Sequence, residues 1–266
     1  MNSQLQLRSV HLRVADLTRS VDFYSQQVGL SVTEKAADRA KLAAPDVLPG
    51  SEPLLVLTED RSAPPPAENA AGLFHAALLL PSRAALGRWL RAAEKSGVRF
   101  AGFSDHGVSE AAYFSDPDGN GLEFYVDRPR DLWPYENGEL AMITEPLNLR
   151  SLFAAADGSP GETGPLLKGA YWGHFHFRVT NSERSEKFYR EALGVTLTQR
   201  YGTSARFLSA QGYHHHIGLN TWGQPRLPHS DVTLGLVDVS LAVAAAGDSR
   251  TLRDPDGITL RVTGRP

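Results

Sequence analysis

The chain repeats itself, and that restricts its fold more than any other feature. Val10-His11-Leu12-Arg13-Val14 leads to Phe23-Tyr24 and Gly29-Leu30, and the second half returns with Phe175-His176-Phe177-Arg178-Val179, Phe188-Tyr189 and Gly194-Val195. Histidine and tyrosine stand 13 residues apart in both copies. Each half also closes alike: Asp116-Pro117-Asp118-Gly119 precedes Leu122-Glu123-Phe124-Tyr125-Val126, and Asp254-Pro255-Asp256-Gly257 precedes Leu260-Arg261-Val262. The duplication therefore spans whole domains, each expected to bury a core of its own.

Alternating apolar residues at 9–14 and 175–179 predict half-buried strands, whereas Leu17, Val21, Tyr24 and Val28 recur at helical spacing. A weaker copy lies inside the first half: a strand from Phe74 to Leu80, a helix from Ser82 to Ser96 stopped by Gly97, and strands flanking the Asp-Pro-Asp-Gly turn. The fold class is α+β, with two βαβββ units in each half. Two domains are expected, at 1–130 and 169–266, joined by a linker at 131–168 where Pro, Gly and acidic residues cluster and Leu147 to Ala155 can form a short helix. From Tyr24 to Asp116 is 92 positions but from Tyr189 to Asp254 only 65, so the last unit is expected to lack a helix and its loops.

A formal net charge of −3, with both signs interspersed over 266 residues, gives no field that would gather nucleic acid or an anionic membrane surface. No apolar run reaches bilayer length, and Met1-Asn2-Ser3-Gln4 lacks the basic-then-apolar pattern of a secretion signal. The expectation is a cytoplasmic protein with a small-molecule substrate and no membrane or nucleic-acid partner; sheet-edge pairing is compatible with a homo-oligomer. Zero cysteines exclude disulfides, thiolate nucleophiles and sulfur-ligated zinc, so any metal must be held by imidazole and carboxylate, and the nine histidines are the residues to follow.

One segment carries more chemistry than the rest: His106-Gly-Val-Ser-Glu-Ala-Ala112-Tyr113-Phe-Ser-Asp116-Pro117-Asp118-Gly119-Asn-Gly-Leu-Glu123. Set in the duplicated framework, it resembles the vicinal-oxygen-chelate superfamily of glyoxalase I, extradiol dioxygenases and the bleomycin- and fosfomycin-resistance proteins. Within that superfamily it is most similar to the signature of two-domain, catechol 2,3-dioxygenase-like proteins. Ala112 stands where a larger aliphatic residue is usual, and Ser104 departs from the pattern two places before the histidine. The resemblance implies paired units curled into open cup-shaped mixed sheets, with metal ligands on the first and last strands of units. It implies His11, His75 and Glu123 as ligands of a divalent metal, Fe(II) first, with Mn, Zn or Ni as alternatives. Tyr113 and His106 are implied as the catalytic residues that orient the substrate oxygen and bound oxygen. Two imidazoles and one carboxylate on one face leave positions open for a chelating substrate. Arg13 and Tyr125 share strand faces with His11 and Glu123 and are expected to line the cup.

Each residue also has a plainer reading. His11 or His75 alone could be a core histidine, and Asp116 to Gly119 meets the ordinary demands of a hairpin turn. Glu123, between Leu122 and Phe124, is costly to bury unless a positive or hydrogen-bonding group meets it. Two departures from the family pattern bear on the chemistry. The family's acid/base histidine is missing, because Glu59 to Phe74 contains none, so either a residue of the second half supplies the proton or the reaction is not ring cleavage. The site also falls in the N-terminal half, where two-domain relatives usually carry it in the C-terminal one.

In the second half Arg261 takes the place of Glu123 and the equivalent of His75 falls near Val232, so a second copy of the site is not expected there. His174 and His176 share a strand face, as do His214 and His216 if Tyr213 to Leu219 is a strand. These four could form a second metal site, a proton-relay or substrate surface, or a structural hydrogen-bonded group, with a structural or auxiliary role favoured. The expected function is metal-dependent extradiol cleavage of a catechol. The alternatives are a glyoxalase-like isomerase, lyase or hydrolase at the same residues, and a non-catalytic ligand-binding protein.

Overall fold

The computed structural model describes residues 5–47, 51–159, 164–244, 247 and 249–264. Met1 to Gln4 and positions 160–163 of the linker lie outside the described residues. Unit I comprises β1 (Leu5–Val14), α1 (Leu17–Asp22) continued by a π-helical stretch (Phe23–Val28), β2 (Ser31–Lys35), β3 (Arg39–Ala43) and β4 (Leu55–Glu59). Unit II comprises β5 (Gly72–Leu79), α2 (Arg83–Lys95), β6 (Phe100–Asp105), β7 (Ser109–Ser115) and β8 (Gly121–Asp127). A connecting segment with β9 (Tyr135–Glu136), β10 (Glu139–Leu140), β11 (Glu145–Pro146) and α3 (Leu149–Asp157) leads to unit III. Unit III is built from β12 (Tyr171–Arg178), α4 (Ser182–Leu193), β13 (Thr196–Tyr201), β14 (Ala205–Ser209) and β15 (Ile217–Asn220). Unit IV has β16 (Gly235–Val243), β17 (Arg250–Arg253) and β18 (Thr259–Gly264), with no helix among its described residues, as its short spacing predicts. No helix among the described residues is long and apolar enough to cross a membrane.

The unit helices start where a short polar side chain takes up an orphan N–H: Asp16 accepts from Arg19 N, Ser82 from Ala85 N and Asn181 from Arg184 N, at 2.9, 3.0 and 2.9 Å. Trp89 of α2 is fully buried against Phe114 and Phe124 and donates Nε1 to the Val28 carbonyl at 2.8 Å. The two repeated motifs prove to be one device. Tyr24 donates to Asp116 at 3.0 Å and Tyr189 to Asp254 at 3.2 Å, while each carboxylate also collects backbone N–H groups of its own turn. The helical segment of one unit is thereby fastened to the turn of the next.

The sheets cut across the sequence halves. A seven-stranded sheet runs β17-β18-β16-β1-β4-β3-β2, and a nine-stranded sheet runs β11-β6-β7-β8-β5-β12-β15-β14-β13. Unit I joins unit IV through antiparallel β1 and β16, and unit II joins unit III through antiparallel β5 and β12. The division into paired domains at 1–130 and 169–266 is corrected accordingly. The halves are the repeats, but each sheet draws one unit from each half, and within a half the units are tied by the Tyr–Asp clamp rather than by a strand pair.

Candidate metal centre

Pairing β5 with β12 puts His176 opposite His75 and His174 opposite Ala77, and β8, the other neighbour of β5, puts Glu123 opposite that same Ala77, so His174 and Glu123 flank His75 on the diagonal. Glu123 Oε2 lies 3.0 Å from His75 Nε2 and 3.1 Å from His174 Nε2, and the two nitrogens are 3.3 Å apart. Donors on one octahedral face, each about 2.1 Å from an ion, stand about 3.0 Å from one another, so this near-equilateral triangle fits a divalent metal. Among the described residues it is the one group of three or more metal-binding side chains gathered this closely. Burial works to raise the Glu123 carboxyl, yet attraction to His174 and hydrogen bonds with His174 and His75 hold it well below the usual range. Burial pushes His174 down to about 4, against the opposing pull of Glu123. At neutral pH the carboxylate is therefore ionised and His174 neutral, the protonation states that ligation requires. The His174 ring is held by packing between His215 and Tyr125, at centroid distances of 4.1 and 5.0 Å.

His11 is not brought to this centre. It lies in the other sheet, with Nδ1 3.3 Å from Asp238 and Nε2 2.7 Å from Thr58. The spacing from histidine to helix cap explains the difference. His75 precedes its cap Ser82 by 7 residues and His174 precedes Asn181 by 7, but His11 precedes Asp16 by only 5, as His176 does Asn181. The residue of unit I that matches His174 is Ser9. Gly235-Leu236-Val237-Asp238 opens β16 as Gly72-Leu73-Phe74-His75 opens β5, so His75 is matched by Asp238 and not by a residue near Val232. Arg261 matches Glu123, and its Nε is 2.9 Å from Asp238 Oδ2. A guanidinium–carboxylate pair thus stands where the other sheet carries its ligand set. We expect His11→Ala to leave the metal content of the purified protein unchanged by elemental analysis; a loss of metal would return His11 to the ligand set.

Arg13 follows His11 into that other sheet, where its guanidinium meets the carbonyls of Asp231 and Thr233. Tyr125 does not line the cup either. It is fully buried behind His174 with its hydroxyl 2.7 Å from that of Tyr213, and Gly173 leaves the room it needs, since a Cβ there would lie 1.7 Å from the Tyr125 oxygen.

The three candidate ligands open into a cavity of about 410 Å³ that Tyr113, His106, His176 and His215 also line. Tyr113 sits opposite Glu123 in the β7/β8 register. His106 donates Nδ1–H to the Ile143 carbonyl at 2.8 Å, so its Nε2 accepts the Tyr113 hydroxyl at 2.7 Å. Burial, then the Glu123 charge, raise the Tyr113 phenol well above its ordinary value and keep it protonated. His176 Nε2 accepts from Asn220 Nδ2 at 3.0 Å, and Gly218 makes room for the ring, since a Cβ there would approach it to 2.7 Å.

His214, His215 and His216 precede β15, which begins at Ile217, so alternation along a strand does not govern them. His216 accepts at Nδ1 from Ser209 Oγ at 2.9 Å and is absent from the cavity wall. His214 is fully buried, with Nε2 2.9 Å from Asp127 and Nδ1 2.7 Å from Nδ1 of His215. His215 is the residue that sequence reasoning missed. The Asp127 carboxylate takes the Nε2–H of His214, His214 Nδ1 then accepts from His215 Nδ1–H, and a lone pair is left on His215 Nε2 for the cavity.

This collection of neutral imidazoles makes stability depend on pH. Burial depresses His176 and His215 well below their ordinary value, His174 to about 4 and His216 to about 3. Their unfolded counterparts titrate near 6.5, so below that pH the unfolded chain binds more protons. The stability they contribute is complete above about 6.5 and is lost as pH falls toward 4 and 3. Metal-stripped protein should melt progressively lower from about pH 7 to about pH 5, each histidine costing up to about 1.4 kcal/mol per pH unit. A melting temperature that stays flat over this range contradicts the assignment.

A curled mixed sheet of paired βαβββ units carrying a two-histidine, one-carboxylate face is the architecture of the vicinal-oxygen-chelate proteins. The family described as Glyoxalase/Bleomycin resistance protein/Dioxygenase superfamily matches residues 6–124. A Bacillus subtilis (strain 168) protein named catechol-2,3-dioxygenase is 40% identical over 220 residues, 82% of this chain and 75% of that one. The chain belongs to this superfamily. Among solved structures, a putative dioxygenase from Bacillus subtilis subsp. subtilis str. 168 is similar with a TM-score of 0.62 at 12% identity, covering 98% of this chain and 85% of its own. Glyoxalase I from Zea mays is similar with a TM-score of 0.56 at 16% identity, covering 98% and 93%. At these identities the structural likeness concerns the fold.

Proposed function

We propose that the chain is an extradiol dioxygenase that cleaves a catechol on Fe(II) held by His75, His174 and Glu123. The observation that carries this reading is the convergence, in one cavity, of an open ligand face and a histidine whose tautomer leaves one ring nitrogen free. The 40% identity to a protein named catechol-2,3-dioxygenase supports it. The ion, when bound, supplies adjacent positions for the diol oxygens and for dioxygen. In the overall reaction the C–C bond beside the diol breaks and both atoms of dioxygen enter the product. The ring provides the electrons, so no further reductant is needed.

His215 Nε2 takes a proton from the diol, and Asp127, through His214, stabilises the imidazolium that results. The base that Glu59 to Phe74 lacks comes from the second half of the chain. Tyr113, fixed by His106, presents a neutral phenol to the oxygen atoms handled beside Glu123. A glyoxalase-like isomerase, lyase or hydrolase using Mn, Zn or Ni drew its support from the missing base, and His215 removes that support. The test is catechol added in air to protein loaded anaerobically with Fe(II). A yellow product with one dioxygen consumed per catechol is expected; metal-loaded protein that turns over no member of a catechol panel sinks the proposal.

A further inference from the structure

The connecting segment between units II and III forms part of the cavity wall. Ile143 N donates to the His106 carbonyl at 3.1 Å, the Ile143 carbonyl accepts from His106 Nδ1, and β11 adds a short antiparallel pairing to β6. On the far side the Gln199 side chain of β13 grips Met142 by both backbone groups, accepting from its N at 2.9 Å and donating to its O at 3.2 Å. The strap is therefore tied to unit II at one edge and to unit III at the other, and Met142, Ile143 and Thr144 face the cavity.

Two properties of that cavity bear on what it accepts. The first is size: an apolar cavity of roughly 150 Å³ is enough to hold one benzene ring, whereas this one is about 410 Å³. The second is chemistry. Away from the ligand face the wall is mostly apolar, with Phe74, Phe207, Tyr201, Trp222, Met142 and Ile143 beside a few Ser and Thr residues, and no described residue lining the cavity is Lys or Arg. An anionic substituent held against that wall would lose its water and meet no Lys or Arg in exchange. An uncharged apolar group would instead gain from burial against aromatic faces.

We infer that the strap at Met142 to Thr144, clamped by Gln199, is the specificity element of this site and that it selects a catechol bearing an uncharged apolar substituent of alkyl or aryl size. This rests on the proposed dioxygenase reading, and the experiment separates the two. Fe(II)-loaded protein is given catechol, an alkylcatechol, a phenylcatechol and a carboxylated catechol, with kcat/KM read in air and affinity read anaerobically by tryptophan fluorescence. The apolar-substituted compounds should exceed catechol by roughly tenfold or more in both measures, and the carboxylated one should fall roughly a hundredfold below them. Ile143→Ala and Gln199→Ala should narrow the preference for the apolar compounds, shifting KM more than kcat. Discrimination in binding without turnover keeps the inference and rejects the dioxygenase. Equal handling of all four, preference for the carboxylate, or no binding of any compound overturns the inference.

Discussion

Glu123→Gln is expected to strip the protein of its metal and abolish catechol turnover while leaving the metal-free fold intact. The side chain keeps its volume but loses the charge that offsets a divalent ion at a site whose other donors are imidazoles. In the metal-free protein Glu123 is a buried carboxylate, 2% exposed, whose ionised form, in spite of burial, is favoured by His174 and by hydrogen bonds with His174 and His75, so the amide gives up part of that stabilisation while relieving desolvation. The metal-free variant should therefore stay folded but melt somewhat lower than the metal-free wild type, and the upward shift that Fe(II) gives the wild type should disappear. A variant that keeps its metal and its turnover would remove Glu123 from the ligand set.

His215→Gln should lower kcat by roughly 10²–10⁴-fold with metal content unchanged, the range expected when a positioned general base is removed. The two effects separate because His215 packs on a ligand ring without belonging to the ligand triangle. Asp127→Asn should lower kcat by a smaller factor, since the amide no longer enforces the tautomer that leaves His215 Nε2 free. A fall in metal content matching the fall in kcat would instead make His215 a support for the His174 ring, and normal turnover in His215→Gln would show that the proton goes elsewhere.

Much of this molecule is legible along the chain because it is encoded locally. The strand at Val10 to Val14, the helix capped by Ser82 and the Asp-Pro-Asp-Gly turns each follow from residues within a few positions of one another. His75, Glu123, Tyr113 and His106 could be singled out because they lie within one unit, at spacings set by its own strands and turn. Partner choice is different. Alternation says which face of β5 is covered but not whether β1 or β12 lies beside it, and the third ligand candidate comes from whichever strand does.

The Phe-His-Phe motif also drew attention to His176 and its match His11, when the position of consequence is two residues earlier, at His174 and Ser9. Counting back from the helix cap would have distinguished them, because the cap marks where each strand ends. His215 left no comparable signal. It sits in the turn ahead of β15, and only the fold shows that His214 is turned to Asp127 and His215 to the cavity.

The central claim is that one metal ion sits between units II and III. Anomalous diffraction from Fe(II)-loaded crystals, recorded at the iron edge, tests it most directly. A single peak within bonding distance of His75, His174 and Glu123, with none beside His11, is the predicted result; a peak between His11 and Asp238 would contradict it.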